Sequence, residues 1–152
     1  MPLWNIYHTA GIFESQETRN NLASDITRLY TSSGLPAFYV VVQFIPLPPG
    51  NVFVGAESRH HKPFVRLVVE HMAVHRHEGD DNMPKLFSDR INKTLTPYIA
   101  EKGYDWEITV SDTSRDFWRM NGIAPPPWKS EVEKLWVREG RPVEWDKRQP
   151  SL

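Results

Sequence analysis

Near the start of the chain, the spacing of the hydrophobic residues is first typical of a strand, then of a helix and then again of a strand. Leu3 to Thr9 alternates loosely, which predicts a strand. Ser15 is placed to be the N-cap of a helix. The apolar residues of that helix share one face: Leu22, Ile26, Leu29 and Tyr30. Tyr39 to Ile45 is continuously apolar and predicts a strand buried on both faces, which completes a first βαβ unit over residues 2–55.

The same order of elements recurs in residues 64–111, which make a second βαβ unit. Phe64 to Val74 is strongly apolar and predicts a strand. Pro84 suits the first turn of a helix, and Gly103 ends it. The buried face of this helix is expected to hold Leu86 or Phe87, Ile91, Leu95 and Tyr98. Trp106 to Val110 then predicts the next strand.

Residues 112–152 have a different character and are predicted to form a helical, tryptophan-rich C-terminal extension. Ser114 to Met120 predicts one helical stretch, Ser130 to Glu139 predicts a last helix, and the final dozen residues are expected to be a tail carrying Trp145. Most of the six tryptophans lie late in the chain. Because they would be an exposed apolar liability in a free tail, we predict that this segment packs on the sheet or on a neighbouring subunit.

Composition narrows the class of protein. The 152 residues are 39% hydrophobic and 24% charged, which is typical of a soluble single domain, here residues 1–152. A net charge of -1 without polybasic stretches argues against nucleic acid or a membrane as partner. The absence of cysteine excludes disulfides and thiolate nucleophiles. With no signal peptide or membrane-length apolar segment in the sequence, a cytoplasmic location is expected.

Several motifs together resemble the tautomerase superfamily, and within it the long-chain group of the cis-chloroacrylic acid dehalogenases and their fungal relatives. A Met-Pro start opens a strand, two βαβ units follow, and Pro48 to Gly55 lies between them as PPGNVFVG. Features that resemble the fungal branch more than the bacterial enzymes are Asp105-Trp106-Glu107, Trp118, Asn121-Gly122 and Pro125-Pro126.

The resemblance implies a fold, an assembly and a class of activity. The fold is α/β (α+β), with two βαβ units forming a four-stranded sheet that carries two helices on one face. The implied assembly is a homotrimer whose three sheets surround a central channel, and no cofactor is implied. The apolar strands Val40 to Ile45 and Val65 to Val69 fit this assembly, because helices on one side leave a second sheet face that subunit association would cover.

Pro2 is the candidate catalytic residue. Removal of Met1 would make its nitrogen a secondary amine, and an α-amino group titrates at about 8 in water. Burial beside cations would lower this pKa towards neutrality, where the amine is a good general base. We therefore predict an isomerase that tautomerises a small enol or unsaturated carboxylic acid. The alternative interpretation of Pro2 is an ordinary residue after the start codon.

Four further residues are candidates for substrate binding. Arg76 is the best carboxylate binder, although it could equally be a solvated loop arginine. Tyr30 stands where the dehalogenases carry a histidine, and it could donate a hydrogen bond or simply pack in the core. Arg119 and Asn121 are weaker polar candidates. They flank Met120, which occupies the position of the family's water-activating glutamate.

Three alternatives stay open. The chain could act as a hydratase or dehalogenase on a small unsaturated acid, with Thr109 and Met120 standing at the family's water-activating positions. It could also be a catalytically vestigial binding member of the fold. Five histidines lie between His60 and His77, and His71, His75 and His77 with nearby carboxylates such as Glu78, Asp80 or Asp81 could hold a metal ion. A polar loop is the simpler interpretation, and we predict no metal site.

Overall fold

The computed structural model describes residues 2–71 and 83–146, with side chains in the second range from residue 85 onward. Its strands are, in chain order, β1 (Leu3–Thr9), β2 (Val41–Leu47), β3 (Phe53–Val54), β4 (Glu57–Ser58), β5 (Phe64–His71) and β6 (Asp105–Asp112). Its helices are α1 (Gln16–Thr31), α2 (Met83–Leu95) and α3 (Glu131–Glu139). No helix in these two ranges is long and apolar enough to cross a membrane.

The main sheet has four strands in the order β2-β1-β5-β6. β1 runs parallel to β2, and β5 runs parallel to β6, so that each pair with its intervening helix is one βαβ unit. The two units meet through the antiparallel pair β1 and β5. The predicted fold class, a mixed α and β domain built from two βαβ units, is confirmed. β3 and β4 form a separate hairpin between the units.

The core lies between the sheet and the helices. Alternate residues of the two central strands point towards the helices and are fully buried: Trp4, Ile6, Val65, Leu67 and Val69. α1 begins as predicted at Ser15, whose hydroxyl accepts from the backbone N–H of Thr18, and its predicted face is buried. On α2, Ile91 and Leu95 are buried, while Leu86 is 58% exposed and leaves the inward position to Phe87.

The prediction of a strand from Tyr39 that is buried on both faces is wrong. Tyr39 ends a short 3₁₀ turn, and β2 begins at Val41 as an edge strand of the sheet. Gln43 is exposed, and Pro46 lies inside β2, where an edge position tolerates its missing N–H. An apolar run alone does not distinguish a central strand from an edge strand.

The sheet face turned away from the helices mixes apolar and polar side chains. Leu3, Tyr7, Val41, Ile45 and Val68 are half-buried there, but the same face carries Asn5, Gln43, Arg66, Glu70 and Glu107. Arg66 and Glu107 form an ion pair across β5 and β6. The second face that we expected to be apolar is therefore mixed, because strand alternation sends polar residues of every main-sheet strand to this side.

The C-terminal extension packs on the domain, as predicted. α3 begins at Ser130, whose hydroxyl accepts from the N–H of Glu133 at 3.1 Å. Trp118 and Trp136 are buried with ring centroids 4.6 and 6.1 Å from that of Tyr39. Of the predicted tail, Trp145 is anchored to the domain, since its indole donates to the carbonyl of Ala124 at 2.9 Å, whereas residues 147–152 lie outside the described residues.

The predicted helix from Ser114 to Met120 is also wrong. Only Arg115–Phe117 forms a 3₁₀ turn, and Met120 then makes an isolated β-bridge to Ile123. Asn121 and Gly122 between them have φ values of 50° and 83°. A two-residue turn with positive φ at both positions favours Asn-Gly, so this dipeptide reverses the chain instead of capping a helix.

Candidate functional site

Pro2 lies at one end of the sheet, immediately before β1. Its side chain is buried, and its carbonyl accepts a 3.0 Å hydrogen bond from the backbone N–H of Val41 on β2. Alternation along β1 places Pro2 on the same helix-covered face as Trp4 and Ile6. The start of β1 is therefore held in the sheet by β2, with Pro2 against the core.

The strand register brings His71 next to Pro2. Leu3 pairs with Glu70 across the antiparallel β1 and β5, so His71 occupies the following position, opposite Pro2. His71 pairs in turn with Asp112 on the parallel strand β6. Because residues in register point to the same face, Pro2, His71 and Asp112 form a row across one end of the sheet on its helix side. The row therefore places an imidazole and a carboxylate on the same side of the sheet as Pro2.

Tyr30 supports this row from α1. It is 2% exposed, and its hydroxyl oxygen accepts a 3.0 Å hydrogen bond from the indole Nε1 of Trp4. Burial raises the pKa of Tyr30 well above that of an ordinary tyrosine, and the bond from Trp4 offsets only part of this effect. The phenol therefore stays neutral and can still donate its own proton.

Three aromatic rings pack together at the site. The ring centroid of Tyr30 lies 5.8 Å from that of His71 and 6.1 Å from that of Phe87. The centroids of His71 and Phe87 are 5.0 Å apart. Such separations are typical of favourable edge-on and offset contacts. Tyr30 is buried, whereas His71 and Phe87 are half-buried. The side chains of this trio that reach the surface are therefore the imidazole and the Phe87 ring.

A second polar cluster is buried beneath the C-terminal extension. Nη2 of Arg115 lies 3.6 Å from Oε1 of Glu133, and the two side chains are 9% and 2% exposed. Arg115 also donates to the carbonyl of Pro126 at 2.9 Å, and Glu133 accepts from the backbone N–H of Lys129 at 2.7 Å. Burial raises the pKa of Glu133, although the hydrogen bond from Lys129 and the charge of Arg115 act in the opposite direction.

Tyr39 connects this cluster to the region of Pro2. Its ring contacts Trp118, and the Arg115 guanidinium lies 5.6 Å from the centroid of Trp118. Burial, followed by the charge of Glu133, raises the pKa of Tyr39. Val40 follows Tyr39 in the chain. Because Val41 pairs with Leu3 in the parallel register of β1 and β2, Val40 lies beside Pro2. The extension thus braces the strand that holds Pro2.

The four predicted site residues that the structure describes divide into two groups. Pro2 and Tyr30 lie on adjoining elements and are linked through Trp4, whereas Arg76 lies outside the described residues. Arg119 is exposed and donates to the carbonyls of Asp116 and Trp118 at 2.9 and 2.6 Å. Asn121 is an exposed turn residue. The geometry gives Arg119 and Asn121 local roles in the backbone of the extension.

Sequence reasoning considered His71 only as a metal ligand and overlooked Arg115 and Glu133 as a pair. Residues 2–71 and 83–146 contain no group of three or more histidine, aspartate or glutamate side chains arranged to hold a metal ion. His75, His77, Glu78, Asp80 and Asp81 lie outside those ranges. The one sequence signal for Glu133 was its position three residues after Ser130, which is the spacing of a capping box.

Comparisons with known proteins agree with this fold. The model of the family Tautomerase_3, described as "Putative oxalocrotonate tautomerase enzyme", matches residues 1–141. No curated protein matches the chain. A solved protein of the thermophilic fungus Aspergillus fumigatus is 44% identical, with 95% of this chain and 98% of that chain covered and a TM-score of 0.86.

Two further solved structures are similar to this chain. Native RhCC from Rhodococcus jostii RHA1 is 35% identical, with coverages of 94% of this chain and 99% of that chain and a TM-score of 0.86. A wild-type fused 4-OT, described as a symmetric trimer, is 15% identical, with coverages of 80% and 97% and a TM-score of 0.60. This last likeness concerns the fold alone.

Proposed function

The chain belongs to the oxalocrotonate tautomerase family described above, and from that premise we propose that it is a tautomerase whose general base is the amine of Pro2. The substrate class is a small enol or unsaturated carboxylic acid. Within the family we place the chain in the long-chain group that includes the cis-chloroacrylic acid dehalogenases, because of its PPGNVFVG segment at residues 48–55. Removal of Met1 is part of this proposal, since only a free secondary amine can accept the proton.

The observation that carries the proposal is that Pro2 is buried at one end of the sheet, in the same row as His71 and Asp112. Burial disfavours the ammonium form and lowers the pKa of an amine, which would bring Pro2 into the range of an effective base at neutral pH. The backbone bond from Val41 holds the residue in place. Position 2 is therefore built into the fold and is not a loose chain end.

Substrate binding requires a cation for the carboxylate. We propose Arg76 for this role, five residues after His71 in the chain. A bidentate arginine holds a carboxylate in one orientation, which fixes the carbon that exchanges its proton. Arg119 and Asn121 remain secondary candidates, and Tyr30 can act through its position beneath His71.

Hydration and dehalogenation demand more than a base and a cation, because a water molecule must also be activated. Thr109 is exposed on the sheet face opposite the helices, paired with Val68. Met120 is half-buried and has no basic atom suited to deprotonating water. Losing such a group costs about 10²–10⁴-fold in rate, so we propose weak or no release of halide.

The experiment compares processed protein with its Pro2→Ala variant on two substrates. Mass spectrometry first establishes the fraction of protein that begins at Pro2. Ketonisation of phenylenolpyruvate is expected to depend on Pro2, and cis-chloroacrylate is expected to release little halide. Undiminished ketonisation by Pro2→Ala would contradict the proline mechanism. Efficient halide release would show that the water-activating group lies elsewhere, and full retention of Met1 would favour a binding function.

A further inference from the structure

We propose that His71 is the second acid–base residue of the site and exchanges a proton with the substrate oxygen while Pro2 acts at carbon. This inference rests on the proposed tautomerase function and extends it to a residue that lies on a different strand. It is carried by the strand register, by the packing of the imidazole ring and by the exposure of the ring relative to its neighbours.

The strand register fixes the distance between the Cα atoms of Pro2 and His71. Pairing of Leu3 with Glu70 continues one step to Pro2 and His71. Residues directly opposite each other in an antiparallel pair have Cα atoms about 4.5–5.5 Å apart. Both residues also face the helices, since Trp4 and Val69 are paired and fully buried on that side. A planar acid of a few atoms can therefore contact the amine and the imidazole together.

The imidazole ring is held in a defined position. It packs against Tyr30 of α1 and Phe87 of α2, with centroid distances of 5.8 and 5.0 Å. Tyr30 is fixed in turn by its bond from Trp4. A ring supported from two helices keeps its nitrogens at one place, which a general acid–base group requires.

His71 is more exposed than Tyr30, and we therefore assign contact with the substrate to His71. Tyr30 is 2% exposed and its hydroxyl already accepts from Trp4. His71 is half-buried at the surface of the same cluster. The imidazole that reaches the surface of this cluster therefore comes from β5.

Within residues 2–71 and 83–146, the titratable groups that the register and the ring contacts place beside His71 come from three parts of the chain. Asp112 on β6 is in register with it, Pro2 precedes β1, and Tyr30 lies below it on α1. On α2, Arg90 is directed away, to the carbonyl of Leu29 and the hydroxyl of Ser32 at 3.2 and 2.9 Å. An imidazole that carries both protons can donate to a carbonyl oxygen, and this is the form in which His71 acts on the substrate.

The proton transfers balance in both directions. To form an enol from a 2-oxo acid, the neutral Pro2 amine removes a proton from C3, so that the C–H bond breaks and an N–H bond forms. The electron pair becomes the C2–C3 double bond, and the carbonyl π pair moves to oxygen. The imidazolium of His71 gives its proton to that oxygen, and the two groups return to their starting states through solvent. Ketonisation follows the reverse path.

Two substitutions test this role. His71→Phe keeps a ring against Tyr30 and Phe87 but removes both nitrogens, and His71→Gln keeps a polar group. For phenylenolpyruvate we expect kcat to fall about 10²-fold in both, with KM within about threefold and one limb of the pH–rate profile lost. The matched control is His60→Gln, an exposed histidine of the same chain whose loss should leave activity unchanged.

A second readout does not depend on turnover. In processed protein with ¹⁵N-labelled proline, NMR titration of the Pro2 amine should show a second inflection where the imidazole titrates, and His71→Phe should abolish it. The proposal is overturned if His71→Phe leaves kcat and the pH–rate profile unchanged. It is also overturned if the titration curve of the Pro2 amine is the same in wild type and His71→Phe. Pro2→Ala tests the underlying tautomerase function separately. In a preparation without activity, the NMR titration alone decides.

Discussion

The indole Nε1 of Trp4 donates a 3.0 Å hydrogen bond to the hydroxyl oxygen of Tyr30, and the two side chains are 0% and 2% exposed. This bond joins β1 to α1 two residues after Pro2. It is a buried polar contact inside an otherwise apolar cluster, where an unmade bond is costly. The position of Pro2 relative to α1 therefore depends on it.

Tyr30→Phe should lower the free energy of unfolding by about 1–3 kcal/mol, because the Trp4 N–H is left buried without its acceptor. Urea denaturation measures the change. Tyr98→Phe is the control, since it removes a half-exposed hydroxyl bonded to Asp25 at 2.7 Å and should cost less. Equal losses in the two variants would mean that burial of the bond does not matter.

Glu133→Ala should be strongly destabilising. It removes one partner of a buried ion pair, and breaking such a pair costs about 3–5 kcal/mol. Glu131→Ala on the same helix breaks an exposed pair with Lys134 and should cost at most about 1 kcal/mol. Thermal or urea unfolding compares the two. Similar losses would contradict a structural role for the buried pair.

His8 should make the domain less stable in mild acid. Burial is the largest effect on its pKa and lowers it below 6.5, with the charge of Arg19 acting in the same direction and the bond to Thr9 opposing it. Between the two pKa values the unfolded chain binds more protons than the folded chain. Stability is therefore fully present above pH 6.5 and is lost as the pH falls towards the folded pKa.

The measurement for His8 is the difference in free energy of unfolding between wild type and His8→Phe. Phe at this position keeps the edge contact with Phe13. We expect the difference to shift in favour of the variant from about pH 7.5 to about pH 5.5. A difference that stays constant over this range would show that His8 titrates equally in both states.

Deletion of residues 125–152 should destabilise the whole domain and not only the extension. Trp136 is fully buried against Tyr39, and loss of one buried tryptophan side chain costs about 3–5 kcal/mol. Trp136→Ala should reproduce much of the loss. Trp128→Ala, which changes a residue that is 39% exposed, should not. An unchanged melting temperature after the deletion would disprove the packing role.

We predict that the chain forms a homotrimer in solution. Leu3, Tyr7, Val41 and Ile45 are only half-buried on the free face of the sheet, and the polar groups beside them suit a water-filled channel between sheets. Light scattering at micromolar concentration should give about three times 17.7 kDa. A mass of 17.7 kDa would contradict the trimer.

Local chemistry determined much of the fold in advance. Ser15 and Ser130 begin helices because a hydroxyl can accept from the N–H groups of the first turn, and this interaction spans three residues. The apolar spacing of Leu22, Ile26 and Leu29 marks one helical face for the same local reason. Helices α1 and α3 and strand β1 could therefore be predicted from neighbouring residues alone. So could the candidacy of Pro2, through its place in the motif that resembles the family.

The remaining features depend on contacts between distant segments. Pro2 and His71 are neighbours only because β1 pairs antiparallel with β5, and a shift of one residue would send His71 to the other face. Arg115 and Glu133 meet because α3 folds back under Tyr39. Periodicity reports which face is apolar but not which strand lies beside which. The sequence by itself therefore determined most of the helices and strands and the candidacy of Pro2, whereas the tertiary structure decided which side chains surround Pro2.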